Sequence, residues 1–317
     1  MTEIETARAE DQVDVLGKTT CLLLRFHKTG LIRKGSLAKI QTQAKKERLG
    51  LNKKILVSEN YENLLLVSRD CRRFAKARQV PGSPFAEGTH LIPLPLVDDI
   101  NAKIANAMNG YNMWADQFVA EYENLVEEAR IGLADQFSQA NYFDVSTPEG
   151  RMKLRSKFWV ERQWFDWSPS NQSKVSDAVA NQENLRHTAE VQDMAQQIKA
   201  ALRLGLKKLI DHLVERLTPG PGGKKKQFAP TTVTKVVDFL SLFSARNVVG
   251  DRELAVLADQ AKLVLDGQTA DSIKEDDEML ALVATRMSEV KTGLDKLVLE
   301  VPDRFIQLED EDEEDDD

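Results

Sequence analysis

Cysteine is nearly absent from this sequence: Cys21 and Cys71 are its two residues of that type among 317. Two thiols so far apart cannot build a disulfide scaffold, and as unpaired thiols they fit a reducing compartment. Histidine is also scarce. His27, His90, His187 and His212 include no i, i+4 pair and no Cys at ligand spacing, so no metal site is expected. No apolar run approaches the roughly 20 residues that a membrane-spanning helix needs. Met1–Val15 lacks a basic start and an apolar stretch, so it does not read as a secretory signal, and a cytoplasmic location is the expectation. With only 16 Gly and 10 Pro, collagen-like and low-complexity architectures are excluded.

Catalytic patterns are missing as well. Gly17-Lys18-Thr19 reads like the end of a phosphate-binding loop, but Gln12 stands where that loop requires glycine for its turn. No glycine fingerprint of a dinucleotide-binding fold is present. His212 adjoins Asp211, and neighbouring positions on a helix do not face each other. Ser241 and Ser244 lack a glycine elbow. The expectation is a protein that is not an enzyme and needs no cofactor.

What is present is a chain long enough for about two domains, each able to bury a core without crosslinks. Its formal charge is −8, yet the last nine residues, Glu309–Asp317, are all acidic, so the remainder sums to +1. Such a block repels itself and has nothing to bury, which makes 303–317 an acidic tail expected to be solvated and disordered. Solubility is one use for it; masking a basic surface is another. A surface of that sign is encoded between Lys28 and Arg78, where 14 Lys and Arg face only Glu47, Glu59, Glu62 and Asp70. Lys45, Lys46, Lys53, Lys54, Arg72 and Arg73 are the candidate phosphate contacts there. A solvated helical face is the simpler reading of the same residues.

Patterning predicts a mainly α protein. After a flexible 1–17, the 18–97 region reads as small, basic and α+β. Thr19–Phe26 and Ile55–Ser58 are strand candidates, with helices over 32–49 and 60–76. Pro81, Pro84, Pro93 and Pro95 then punctuate a flap that is neither regular helix nor central strand. Ile100, Ile104, Ala107, Tyr111, Phe118, Tyr122 and Leu125 recur at steps of three and four, which predicts one long helix over 98–139. A second, over 173–217 and capped by Ser170 or Ser173, carries Val179, Leu185, Ile198, Leu202, Leu209 and Leu213. Residues 98–217 are therefore expected to form a long antiparallel helical hairpin, coiled-coil-like, each stripe buried against the other.

The tip of that hairpin, 140–169, is aromatic and basic. Trp159, Trp164 and Trp167 lie there among Arg151, Lys153, Arg155, Lys157 and Arg162. A local mini-core accounts for clustered rings. Rings flanked by cations also stack the bases of single strands, so these tryptophans join the candidate nucleic-acid or partner contacts. A Gly/Pro/Lys linker occupies 218–230, and 231–302 reads as a small module of three helices, beginning at Thr231 or Thr232, at Asp251 and at Asp276.

The order Lys53-Lys54-Ile55-Leu56-Val57-Ser58, helix, Pro81-Gly82-Ser83-Pro84-Phe85, Leu91-Ile92-Pro93-Leu94-Pro95, then a long helix with Tyr111, Trp114, Phe118 and Tyr122, resembles an uncharacterised bacterial family carried on phages and integrative elements. The likeness spans most of Thr19 to Gly267 and includes Phe243, Arg246, Asn247, Asp251 and Leu254. Members are typically encoded beside MoxR-type AAA+ ATPases and cobaltochelatase-like proteins with a von Willebrand A domain. The resemblance implies an accessory or adaptor protein in the bacterial host cytoplasm with such an ATPase as partner. It supplies no active-site residues, and it does not account for the acidic tail. The alternative is a single-stranded nucleic-acid-binding protein whose tail is autoinhibitory. Homo-oligomerisation is left open by the sequence.

Overall fold

A computed structural model describes residues 14–34, 52–86, 88–167, 176–218 and 229–299. The readings of the 303–317 tail, of Lys45 and Lys46, of most of the 218–230 linker and of capping by Ser170 or Ser173 fall outside the described residues. The fold is mainly α, with a small sheet region near the amino end and long helices. Its strands are β1 (Thr19–His27), β2 (Ile32–Lys34), β3 (Asn52–Lys54), β4 (Thr89–Pro93) and β5 (Trp159–Phe165). Its helices are α1 (Glu59–Arg78), α2 (Val97–Leu133), α3 (Pro148–Arg155), α4 (Asp177–Leu217), α5 (Pro230–Arg246), α6 (Arg252–Leu265), α7 (Ala270–Glu275) and α8 (Asp277–Leu299). One sheet is ordered β4-β1-β5; β2 and β3 form an antiparallel ribbon in which Arg33 lies opposite Lys53.

Several local expectations change. Ile32–Lys34 is strand, not the start of a helix, and pairs with Asn52–Lys54, while the strand expected over Ile55–Ser58 is not formed. Ile55 and Leu56 are instead drawn into the core and leave the ribbon. The proline-rich flap contains β4, whose Leu91 and Ile92 are buried; β4 is an edge strand, where proline costs no ladder bond. Helix α2 stops at Leu133, followed by Ala134 at a φ of 45°, so the α-helix does not run on to 139 as the periodicity suggested; Ala134–Gln136 and Gln139–Asn141 are single 3-10 turns. The connection after it is not loop alone but α3 and β5. The carboxyl module has a fourth helix, the six-residue α7, which begins with a Thr269/Ser272 capping box too short to leave a periodic signal.

Two compact units emerge. The first comprises Met1–Cys21, Arg78–Leu96 and Phe165–Asp317; the second, Leu22–Ala77 and Val97–Trp164. In the second, α1 begins at Ser58, whose hydroxyl accepts the Tyr61 N–H and donates to Glu121 on α2. Helices α1 and α2 run antiparallel: Tyr61 meets Phe118, Val67 faces Gly110, and Phe74 lies under Lys103. The core is rich in rings. Phe118 contacts Tyr61, Tyr122 and Phe158 at centroid separations of 5.3, 5.6 and 5.5 Å. Each buried phenol there has a partner: Tyr61 donates to Thr29 O, Tyr111 to His27 O and Tyr142 to Ile55 O, while Tyr122 accepts from Phe143 N. A phenol left unpaired would incur its full desolvation cost, so these bonds fix where each ring sits.

The first unit is a helical bundle. From α4, Ile198, Leu202, Leu206, Ile210, Leu213 and Leu217 form a buried stripe at steps of three and four. Packed in the same core are Val283, Met287, Val290 and Leu294 of α8, with residues of α5 and α6. Each such side chain contributes about 1.5–3 kcal/mol by leaving water. The hairpin expectation is corrected accordingly. Both long helices exist, but the α2 stripe is buried among the rings of the second unit and the α4 stripe among the aliphatics of the first. Helical periodicity specifies a face to bury and leaves the choice of partner open.

Candidate functional site

The sequence-derived candidates divide between the two units. In the second, Lys53 and Lys54 sit on β3, and both are engaged: Lys53 donates to Gln136 O, and Lys54 lies 2.6 Å from Glu62. Arg72 and Arg73 lie on α1. Arg73 pairs with Asp70 at 2.6 Å, an i, i+3 contact. Burial of Tyr61, Leu64, Ser68, Cys71 and Ala75 sets the inner face of α1 and leaves Leu66, Arg69, Arg72, Arg73 and Lys76 exposed to solvent. Lys76, in the last turn, also meets the negative end of the macrodipole.

The three tryptophans do not come together. Trp159 is 47% exposed on β5, but its ring is covered by His27, stacked at 3.8 Å with an interplanar angle of 2°. Trp164 is half-buried five residues along the same strand, so alternation places it on the opposite face. Trp167 belongs to the first unit, packed between Phe85 and His187. Tyr142 and Phe158, expected at a hairpin tip, are core residues of the second unit. The mini-core reading of these rings holds for them; a shared stacking platform of the tryptophans is not formed.

A cluster absent from the sequence reading lies beside Trp159. Glu161 Oε2 is 3.3 Å from His27 Nε2 and 3.6 Å from Arg25 Nη1, so one carboxylate bridges a β1 cation and an imidazole. Period-two alternation places Arg25 and His27 on one face of β1, and Trp159 and Glu161 on one face of β5. Only strand adjacency, invisible in the sequence, brings the two pairs together. All four side chains remain partly open to solvent, and the geometry orders that sheet face.

A groove of 530 Å³ in the second unit is lined by Arg33, Tyr142, Phe143, Asp144, Glu149 and Lys153, among others. Its two cations and two carboxylates cancel. Asp144 is held below the ordinary carboxylate range by the hydroxyl and N–H of Ser146. No family model matches the chain, and no curated protein or solved structure is significantly similar to it. Among the described residues no group of three His, Cys, Asp or Glu is placed to hold a metal ion, and no helix is long and apolar enough to cross a membrane.

The first unit holds its strongest electrostatics inside. Arg203 and Asp251, with side chains 3% and 1% exposed, are joined by two hydrogen bonds of 2.6 and 3.2 Å. The guanidinium also donates to Leu297 O and Glu253. This ties α4, α6 and α8 together and is architecture. The same α4 is different at its amino half: from Asp177 to Asp193 it has no buried residue, the first being Met194. Those nearly five turns, about 25 Å at the helical rise, keep Val179 46% and Leu185 74% exposed. They are supported locally by Arg186 with Glu183 and Glu190.

Proposed function

We propose that this protein is a non-enzymatic helical accessory protein of a phage or mobile element, an adaptor engaged by a MoxR-type AAA+ ATPase. The family resemblance supplies the partner class. The observation that carries the reading is the amino half of α4, which has no buried residue from Asp177 to Asp193 although Trp167 packs on His187. An isolated helix of that length is marginal in water, yet this one continues from a buried stripe and leaves Leu185 largely, and Val179 about half, exposed. Such a segment suits docking by a partner that buries both side chains. The test is co-purification with the neighbouring ATPase in its ATP-bound, ADP-bound and nucleotide-free states, repeated with Leu185→Asp and without Glu309–Asp317. Retention by the native chain and loss with Leu185→Asp is the expected outcome. No association in any nucleotide state refutes the adaptor reading.

The second reading is nucleic-acid binding by Lys45, Lys46, Lys53, Lys54, Arg72 and Arg73 with the three tryptophans. It draws support from the cations of α1 and none from the dispersed rings.

A further inference from the structure

We infer that the solvent face of α1 is a docking surface for the phosphate backbone of duplex nucleic acid. The inference stands apart from the adaptor reading and refines the second one. Leu66, Arg69, Arg73 and Lys76 follow one another at steps of three and four, so they share one stripe, and Arg72 flanks it. Four cations therefore fall within about 10 Å of helix axis. Asp70 is the one carboxylate of α1 among them, which leaves a local excess of three. Beside the stripe, Lys103 of α2 covers Phe74, and Asp98 and Asp99 lie in the first turn of the same helix. Among the described residues neither Arg69 nor Arg72 has a hydrogen-bond or ion-pair partner.

Duplex rather than single strand follows from what the face lacks. Single-strand binders add base stacking to charge, but among the described residues no exposed ring lies on this stripe, and one face of the Trp159 ring is already taken by His27. Charge alone favours the polyanion with the greater linear density, which for a duplex is one phosphate per about 1.7 Å of axis. Guanidinium groups are the appropriate donors, because their planar forks match phosphate oxygens. Binding through the backbone carries no base readout, so it is indifferent to sequence.

Fluorescence anisotropy tests this with the full chain, two unrelated 25-base-pair duplexes and one 25-nucleotide single strand, at 50 and 200 mM NaCl. Three net contacts predict a slope of log K against log salt of about −2.7, so duplex affinity falls about 40-fold over that range. Arg69→Gln/Arg72→Gln/Arg73→Gln, which keeps helix propensity, should flatten the slope towards zero. Asp70→Asn should steepen it to about −3.6 and tighten binding at 50 mM; a gain of this kind cannot come from misfolding. Arg252→Gln, in the first unit, should change neither. The inference fails if no duplex binds at 50 mM, if the triple variant retains the native slope, or if the single strand binds more tightly than both duplexes.

Discussion

Replacing Asp251 by Ala should be among the most damaging single changes in the first unit. Its carboxylate does two things: it holds Arg203 through two hydrogen bonds, and it caps α6 by accepting the Leu254 N–H at 3.2 Å. Removing one partner of a buried pair strands the other, at a cost of about 3–5 kcal/mol. A lost cap costs about 1 kcal/mol. One group serves both roles, so the sum is not strictly additive, and a loss of about 4–5 kcal/mol is expected. Arg203 would still reach Leu297 O and the exposed Glu253, which compensate the lost carboxylate in part. The assay is urea denaturation followed by circular dichroism, comparing the first transition of native and variant protein. Adding Arg203→Met to Asp251→Ala removes the stranded charge and should recover part of the loss. A cost under about 1 kcal/mol, or a double variant less stable than the single one, would refute a buried, mutually dependent pair.

The same carboxylate sets a pH dependence. Burial pushes the Asp251 pKa up, but the Arg203 and Leu254 hydrogen bonds and the charges of Arg203 and Lys199 outweigh it, so the pKa lies below the ordinary value. A depressed carboxylate pKa means stability that is fully present above the unfolded value and lost as pH falls through the folded one. The native chain should therefore lose stability below about pH 4, with a shallower acid limb in Asp251→Ala.

Further outcomes follow from local geometry. Gly150→Ala puts a Cβ 1.7 Å from the Asp144 carbonyl oxygen, a backbone atom that cannot yield, so thermal melts should show a loss of about 1–3 kcal/mol or more. Gly293→Ala meets only the flexible end of Leu257 and gains helix propensity, so its effect should stay within about 1 kcal/mol. Burial pushes both thiols up to about 11, Cys21 further raised by Asp166 and Cys71 partly relieved by Lys103 and Arg72. Neither should react with a thiol reagent at pH 8 until urea unfolds the chain. Deleting Glu309–Asp317 should tighten duplex binding several-fold at 50 mM salt and less at 200 mM, read by the same anisotropy titration.

Much of the secondary structure is legible in the chain. Buried positions at steps of three and four announce α1, α2 and α4 because one side of a helix must leave water, and Asp251 marks the start of α6 because its carboxylate satisfies an orphan N–H. The basic excess between Lys28 and Arg78, and the gathering of Arg69, Arg72 and Arg73, are equally plain, since charge is read from composition. Partnership is another matter. An apolar stripe carries no label for what covers it, so α2 joining the rings of Tyr61 and Phe158, and α4 joining the aliphatics of α8, were decided only by the folded chain. The fate of the tryptophans is of the same kind. Whether a ring is stacked beneath His27, turned to the far side of a strand or packed beside Phe85 depends on neighbours distant in sequence, and alternation or spacing cannot encode them.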